Sequence, residues 1–258
     1  MGENSRFLQG KTALVTGASR GLGRAIAQDL AAAGALVAIN YASNEKAARE
    51  TLASIEAKGG KGFLIRAMLG SYESAKQLGA ALDAELTERT GSTGLDILVN
   101  NAGGGPIHDV DSTTPEIFEK VLADNLSGPF YVTKVLKPRL RRGGRVIFMS
   151  SLGARKALPQ FVVYAIAKSA VETFTVVMAK ELGPRGITVN CIMPGLIATD
   201  SNADIRSDPA QMKYFEANIL LGRIGEPSDL SGVAMALVSE QMRFVTGQVI
   251  EVSGGLFL

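Results

Sequence analysis

Short apolar runs alternate with longer stretches of helical periodicity along almost the whole chain. Residues 11–16 form a β-branched apolar run that stops at Gly17, the pattern of a strand buried on both faces. Residues 22–33 repeat their apolar positions at helical spacing and halt at Gly34, a C-terminal stop signal. The alternation continues with strands predicted over 35–40, 62–66 and 95–99 and helices over 45–58 and 71–90. A long helix is predicted over 115–141, then a strand over 145–149 and a helix through Tyr164 and Lys168 that ends near Gly183-Pro184. A strand over 187–192, a helix over 227–238 and a strand over 247–252 complete the chain. This order predicts an α/β fold, a single domain over 1–258 built on a doubly wound parallel sheet of about seven strands with helices on both faces.

One segment breaks the rhythm. Residues 199–221 mix polar residues with Ile205, Met212, Tyr214, Phe215, Ile219 and Leu220, more apolar bulk than a connector requires. Ligands bind such sheets beyond the carboxyl ends of the strands, where Gly17, Asn101, Ser151 and Pro194 stand. The segment therefore reads as a lid over a binding site, against the alternative of a helical pair packed permanently on the body. The apolar tail Leu256-Phe257-Leu258 reads as exposed, and hence as a subunit contact.

Composition narrows the function classes. Lys and Arg number 27 against 25 Asp and Glu, a balance that fits neither a nucleic-acid protein nor one that works on a membrane surface. The densest basic cluster, Arg139, Arg141, Arg142 and Arg145, reads as the cationic cap of the long helix beside Gly143-Gly144. The lone cysteine, Cys191, lies in an apolar run and reads as a buried structural thiol, in keeping with a reducing, cytoplasmic compartment. No metal-ligand cluster is evident, and His108, the only histidine, falls in a loop and reads as solvated. No uninterrupted apolar run is long enough to span a bilayer, and the first six residues carry neither a signal-type apolar core nor a myristoylation pattern.

The chemistry concentrates in three places. Tyr164 and Lys168 are four apart on a helix, so hydroxyl and ammonium share one face. A cation there is expected to lower the phenol's pKa toward a working range. Ser151, at the end of the strand before, would aim a hydroxyl at the same pocket; the alternative is an ordinary surface pair on an amphipathic helix. Gly17, Ser19, Arg20, Gly21, Leu22 and Gly23 form a glycine-rich turn between a strand and a helix, where backbone amides and the helix dipole suit a pyrophosphate. At the end of the second strand, Asn40, Tyr41 and Ser43 precede any acid, the first being Glu45. A site for NAD(H) usually places a carboxylate there; Arg20 with the hydroxyls of Tyr41 and Ser43 instead suits a 2′-phosphate, and so NADP(H).

In order and spacing, the glycine turn, Asn100-Asn101-Ala102-Gly103, Asn125, Ser151, Tyr164-x-x-x-Lys168 and Pro194-Gly195 with Thr199 resemble the short-chain dehydrogenase/reductase family, over nearly the whole chain. The likeness is strongest to β-ketoacyl-carrier-protein reductases and bacterial carbonyl reductases, with a Rossmann-like sheet. It implies that Tyr164 protonates a carbonyl oxygen that Ser151 polarises, while Lys168 lowers the Tyr164 pKa and holds the nicotinamide ribose. It implies that the main-chain carbonyl of Asn125 holds a proton-relay water. Pro129, four residues on, can neither donate to that carbonyl nor tolerate it in a regular helix, so Gly128-Pro129 is expected to open the helix at Asn125. Asn101, Ala102 and Gly103 would line the adenosine side, and Pro194, Gly195, Ile197 and Thr199 would flank the nicotinamide. Where the family usually has an aspartate for the adenine this chain has Met68, leaving that contact to the backbone of Met68 and Leu69. Ser151, Leu152, Gln160, Phe161, Leu196 and the 199–221 segment would enclose an apolar pocket for a ketone or acyl thioester. The reading is an NADPH-dependent reductase of ketones or 3-oxoacyl groups, acting as a homotetramer. The alternatives are an NAD-linked sugar or hydroxysteroid dehydrogenase and a nucleotide-binding regulator without catalysis.

Overall fold

The computed structural model describes residues 6–105, 108–156 and 158–258. The expectation about the first residues therefore falls, except for Arg6, outside the described part. Seven parallel strands stand in the order β3-β2-β1-β4-β5-β6-β7. They are β1 Thr12–Val15, β2 Leu36–Tyr41, β3 Lys61–Arg66, β4 Leu95–Asn100, β5 Leu140–Met149, β6 Thr188–Pro194 and β7 Val249–Val252. Alternate residues of each strand serve opposite layers: Ala13 and Val15 of β1 join one apolar cluster and Leu14 the other. On one face lie α1 (Gly21–Ala32), α2 (Glu45–Glu56) and α9 (Pro227–Val238), through Ile26, Leu30, Ile55, Leu230 and Leu237. On the other lie α3 (Tyr72–Thr90), α5 (Gly128–Leu136) and α6 (Val162–Leu182), through Leu78, Leu82, Leu136, Val171 and Met178. Burial on both faces is why these strands read as continuous apolar runs.

Two expectations need correction. The long helix is four pieces: α4 (Pro115–Leu122), a π-turn over Ala123–Ser127, α5, and a 3-10 turn over Lys137–Arg139. The amide of Gly128 bonds the carbonyl of Ala123, five residues back, and Pro129 follows without a donor, so the helix does widen around Asn125 as proline chemistry requires. Of the arginine cluster only Arg139 caps the helix, its Nη1 donating to the Val135 carbonyl in the last turn of α5 at 2.7 Å. Arg141, Arg142 and Arg145 belong to β5, which begins at Leu140. Arg139 pairs with Asp83 at 2.5 Å, Arg141 with the buried Asp96 at 2.8 Å and Arg145 with Glu240 at 3.4 Å. Beyond Arg139 the glycines and arginines imitate a helix terminus in sequence, but Arg141 and Arg145 serve ion pairs at the far end of the sheet.

The 199–221 segment contains a 3-10 turn (Asp200–Asn202), α7 (Ala203–Ser207) and α8 (Pro209–Asn218). Its end is anchored: Ile219 is buried with Leu152, Met193 and Leu256, and Phe215 packs on the same group. The tail is correspondingly not a free apolar strip. Leu256 is buried, Phe257 lies against Tyr214 and Phe215, and only Leu258 is largely exposed. By length and hydropathy alone Val162–Arg185 could cross a membrane. The buried face of α6 instead packs on the sheet, and its sequence carries Lys168, Glu172 and Lys180.

Candidate active site

At the carboxyl edge of the sheet a cleft of about 320 Å³ runs from the β1–α1 turn to α6 and the start of the 199–221 segment. It brings together Gly17, Arg20, Gly21, Leu22, Asn101, Gly103, Ser151, Tyr164, Lys168, Pro194, Gly195, Ile197 and Thr199 at one rim. Gly104 and Ser150 also line it without having been expected there, together with Met149 and with Asp200, Ser201 and Asn202 from the start of the expected lid segment. At this end the lid segment presents polar residues to the cleft, where an apolar lining was expected.

The glycine turn is shaped by close approaches. Gly17 adopts φ +62°, and a Cβ there would lie 2.9 Å from Ala102 Cα. A Cβ on Gly23 would meet Asn101 Nδ2 and the Gly17 carbonyl, each at 2.5 Å. Asn101 Nδ2 donates to the carbonyls of Thr16 (2.9 Å) and Gly17 (3.2 Å), and Thr16 Oγ1 accepts from the amides of Asn101 and Ala102, both at 2.9 Å. Gly23 and Ala102 thus build the turn from behind. Asn40 does the same: Gly17 N donates to its Oδ1 at 3.2 Å, and its Nδ2 donates to the carbonyls of Ile65 and Ala67. Sequence placed Asn40 on the cofactor; the structure engages both ends of its amide in the scaffold.

A dinucleotide fits what remains. Arg20, the N-cap residue of α1, makes no side-chain cap bond, and the first turn of α1 holds no acid. Its leading amides therefore face the cleft as donors for a pyrophosphate. Beyond β2, Tyr41 is buried, Ser43 is exposed and Asn44 caps α2 by accepting from Ala47 N at 3.0 Å. Glu45, the first carboxylate, is held by Arg49 within 2.9 Å. No acid is thus offered to a ribose 2′-hydroxyl, whereas Arg20 is exposed on the cleft wall. Met68 is 69% exposed and Leu69 partly buried, both outside the cleft lining.

Tyr164 and Lys168 both reach the cleft from α6, with Ser151 opposite at the end of β5. Lys168 is 4% exposed, its Nζ donates to the Met149 carbonyl at 3.0 Å, and it sits 5.5 Å from the centroid of the Tyr164 ring. Burial brings its pKa down to about 8. The opposing attraction from Cys191 is empty below strongly alkaline pH, because burial pushes that thiol up to about 12. The expected acidification of Tyr164 is reversed: burial raises its pKa, and only the Ser151 hydroxyl acts downward. Loss of water around the buried hydroxyl is the larger influence on it. The site therefore keeps a neutral phenol, the form that donates a proton.

Asn125 is fully buried behind these groups. Its Oδ1 accepts from Gly104 N at 2.9 Å, and its Nδ2 donates to the carbonyls of Gly104 (2.7 Å) and Val121 (2.9 Å). A Cβ on Gly103 would lie 2.7 Å from Asn125 Oδ1 and 3.2 Å from Lys168 Nζ, so only glycine lets all three meet. Cys191 is buried as expected, whereas His108 is partly buried and pairs by a single β-bridge with Phe161. Leu152 turns into the apolar cluster under the 199–221 segment and Gln160 is exposed. Among the described residues no cluster of metal-ligating side chains occurs.

A family model described as enoyl-(acyl carrier protein) reductase matches residues 17–257. Versicolorin reductase 1 of Aspergillus parasiticus is 37% identical, with both chains covered over their full length. L-Rhamnose 1-dehydrogenase (NAD(P)(+)) of Azotobacter vinelandii is 36% identical over 96% of this chain and 97% of the relative. Among solved structures, the angucycline C-6 ketoreductase LanV with bound NADP superposes with a TM-score of 0.92 at 41% identity, over 97% of this chain and 96% of that one. With the sheet order, the glycine turn and the Ser–Tyr–Lys grouping in one cleft, the chain belongs to the short-chain dehydrogenase/reductase family.

Proposed function

We propose that this protein uses NADPH to reduce a ketone or 3-oxoacyl carbonyl to the secondary alcohol, with Tyr164 as the acid. The observation that carries this reading is that Tyr164, Ser151 and Lys168 share a cleft with a helix N-terminus lacking a side-chain cap. When bound, NADPH supplies the hydride that reaches the carbonyl carbon. Ser151 and Tyr164 donate hydrogen bonds to the carbonyl oxygen beforehand, and Tyr164 transfers its proton as charge develops there. Lys168 holds the ribose hydroxyls and, below about pH 8, presents a positive charge to the developing alkoxide. Asn125 fixes the Gly103-Gly104 backbone beside Lys168, and its own carbonyl, relieved of a donor by Pro129, is available to a relay water. Arg20 with Ser43 receives the 2′-phosphate, while Met68 and Leu69 cover the adenine.

The substrate reading favours bulky, largely apolar ketones. Met149 and Ile197 line the cleft, and the cluster of Leu152, Met193 and Ile219 backs it. The names of versicolorin reductase and of the angucycline ketoreductase point the same way. The 199–221 segment acts as a lid whose anchored end is Ile219 and whose moving part is α7 and the start of α8. Assembly as a cytoplasmic homotetramer belongs to the same proposal; the exposed Ile166, Val176 and Val177 on α6 and Phe130 on α5 support an apolar contact there.

Cofactor oxidation measured with NADPH and NADH against polycyclic ketones, 3-oxoacyl thioesters, enoyl thioesters and aldoses decides the matter. Ketones with NADPH should give the highest kcat/KM and a single product enantiomer. A preference for NADH with an aldose would move the chain to the sugar-dehydrogenase reading suggested by the rhamnose enzyme, and reduction of the enoyl double bond alone would overturn the carbonyl chemistry.

A further inference from the structure

Ser151 has little to hold it. Within its own turn its side chain only accepts from Gly153 N at 3.2 Å, and its other polar neighbour is the Tyr164 hydroxyl that it is to act beside. The backbone on either side of it is held more firmly, and both sides lead to one carboxylate. Ser150, 3% exposed, donates its Oγ to Glu172 Oε1 at 2.7 Å. Arg155, beyond the 3-10 turn Leu152–Ala154, donates from Nε and NH2 to Glu172 Oε2 at 3.2 and 3.0 Å. Glu172 is one helical turn past Lys168, so the same face of α6 carries Tyr164, Lys168 and the group that grips the Ser151 segment. Two further contacts follow the same seam: Ser150 Oγ lies 3.4 Å from the Lys168 carbonyl, and Ser169 Oγ donates to the Ala154 carbonyl at 3.3 Å.

We propose that Glu172 is a positioning residue for the reaction: by clamping Ser150 and Arg155 to α6 it sets the distance and angle between the Ser151 and Tyr164 hydroxyls. The proposal rests on the reading of Ser151 as a group that hydrogen-bonds the carbonyl. Two oxygens of one planar carboxylate divide the work. Oε1 takes a buried neutral donor, and Oε2 takes a half-exposed cation, whose ion pair contributes little to folding by itself. The geometric effect is larger than the energetic one, because a misplacement of about 1 Å at a reacting group can cost on the order of a hundredfold in rate.

The test combines Glu172→Ala, Glu172→Gln and Ser151→Ala in the full-length protein, with ketone turnover, NADPH binding by fluorescence titration and melting temperature as readouts. Glu172→Ala should lower kcat for the ketone about tenfold or more while NADPH affinity stays within about twofold. Glu172→Gln, which can still accept from Ser150, should recover most of the loss at an unchanged melting temperature. In a Ser151→Ala background, Glu172→Ala should cost almost nothing further, because the group it positions is gone. Full kcat in a folded Glu172→Ala variant, or an equal proportional loss with and without Ser151, overturns the positioning role. If Ser151→Ala alone leaves turnover intact, it is the underlying reading of Ser151 that fails.

Discussion

Burial decides the charge state of both central side chains, and in opposite senses. It keeps the Tyr164 phenol protonated and draws the Lys168 ammonium toward neutrality near pH 8. Reduction needs a proton on the phenol and a cation behind it, so kcat should be flat through neutral pH and fall as Lys168 deprotonates above about 8; a pH–rate profile that rises there would contradict this. The stability sign follows from the same shift. The folded-state pKa lies below the unfolded one, so between about 8 and 10.5 the unfolded chain binds more protons and stability rises with pH. At pH 7 the buried cation costs on the order of 3 kcal/mol, so Lys168→Met should abolish turnover yet melt no lower than the native chain. Arg20 carries a separate expectation: Arg20→Ala should raise KM for NADPH by roughly 10- to 100-fold, the worth of a charge-assisted contact, and leave KM for NADH nearly unchanged.

At the scale of elements, the decisive feature is the π-turn at Ala123–Ser127, which lets Asn125 lie behind Gly103 and Lys168. Pro129→Ala restores an amide in that turn. It should add roughly 1 kcal/mol to stability by closing the helix and lower kcat about tenfold with NADPH affinity unchanged. This widening was legible because a proline in a helix has one steric consequence. The division of the predicted helix was not legible in full, since Arg141, Arg142, Gly143 and Gly144 carry the chemistry of a helix end while actually opening β5 toward Asp96. Asn40 misleads in a similar way: its position at the end of β2 is the usual place for a ribose contact, but only coordinates reveal its bonds to Gly17, Ile65 and Ala67. The tail shows the same limit. Nothing in Leu256-Phe257-Leu258 tells that Phe257 N would bond the Asn218 carbonyl at 3.1 Å and its own carbonyl accept from Lys156 at 2.6 Å. Removing the last three residues should loosen the end of the 199–221 segment, raising KM for the ketone while sparing that for NADPH.

Across the whole molecule, the sheet brings together side chains that the sequence scatters from Gly17 to Asn202, because every β-to-α connection that matters leaves at the same edge. That much could be read from the alternation of strands and helices, and the glycine turn and the Tyr–Lys spacing located the site on it. What could not be read was electrostatic sign: spacing sets two groups side by side, while burial, which depends on the packed sheet, raises the pKa of the phenol and lowers that of the ammonium. The most direct measurement is single-turnover ketone reduction by Tyr164→Phe with saturating NADPH. The account predicts a rate lower by about 10²–10⁴-fold with cofactor affinity within about twofold. Turnover within a factor of a few of the native enzyme would show that the proton comes from elsewhere.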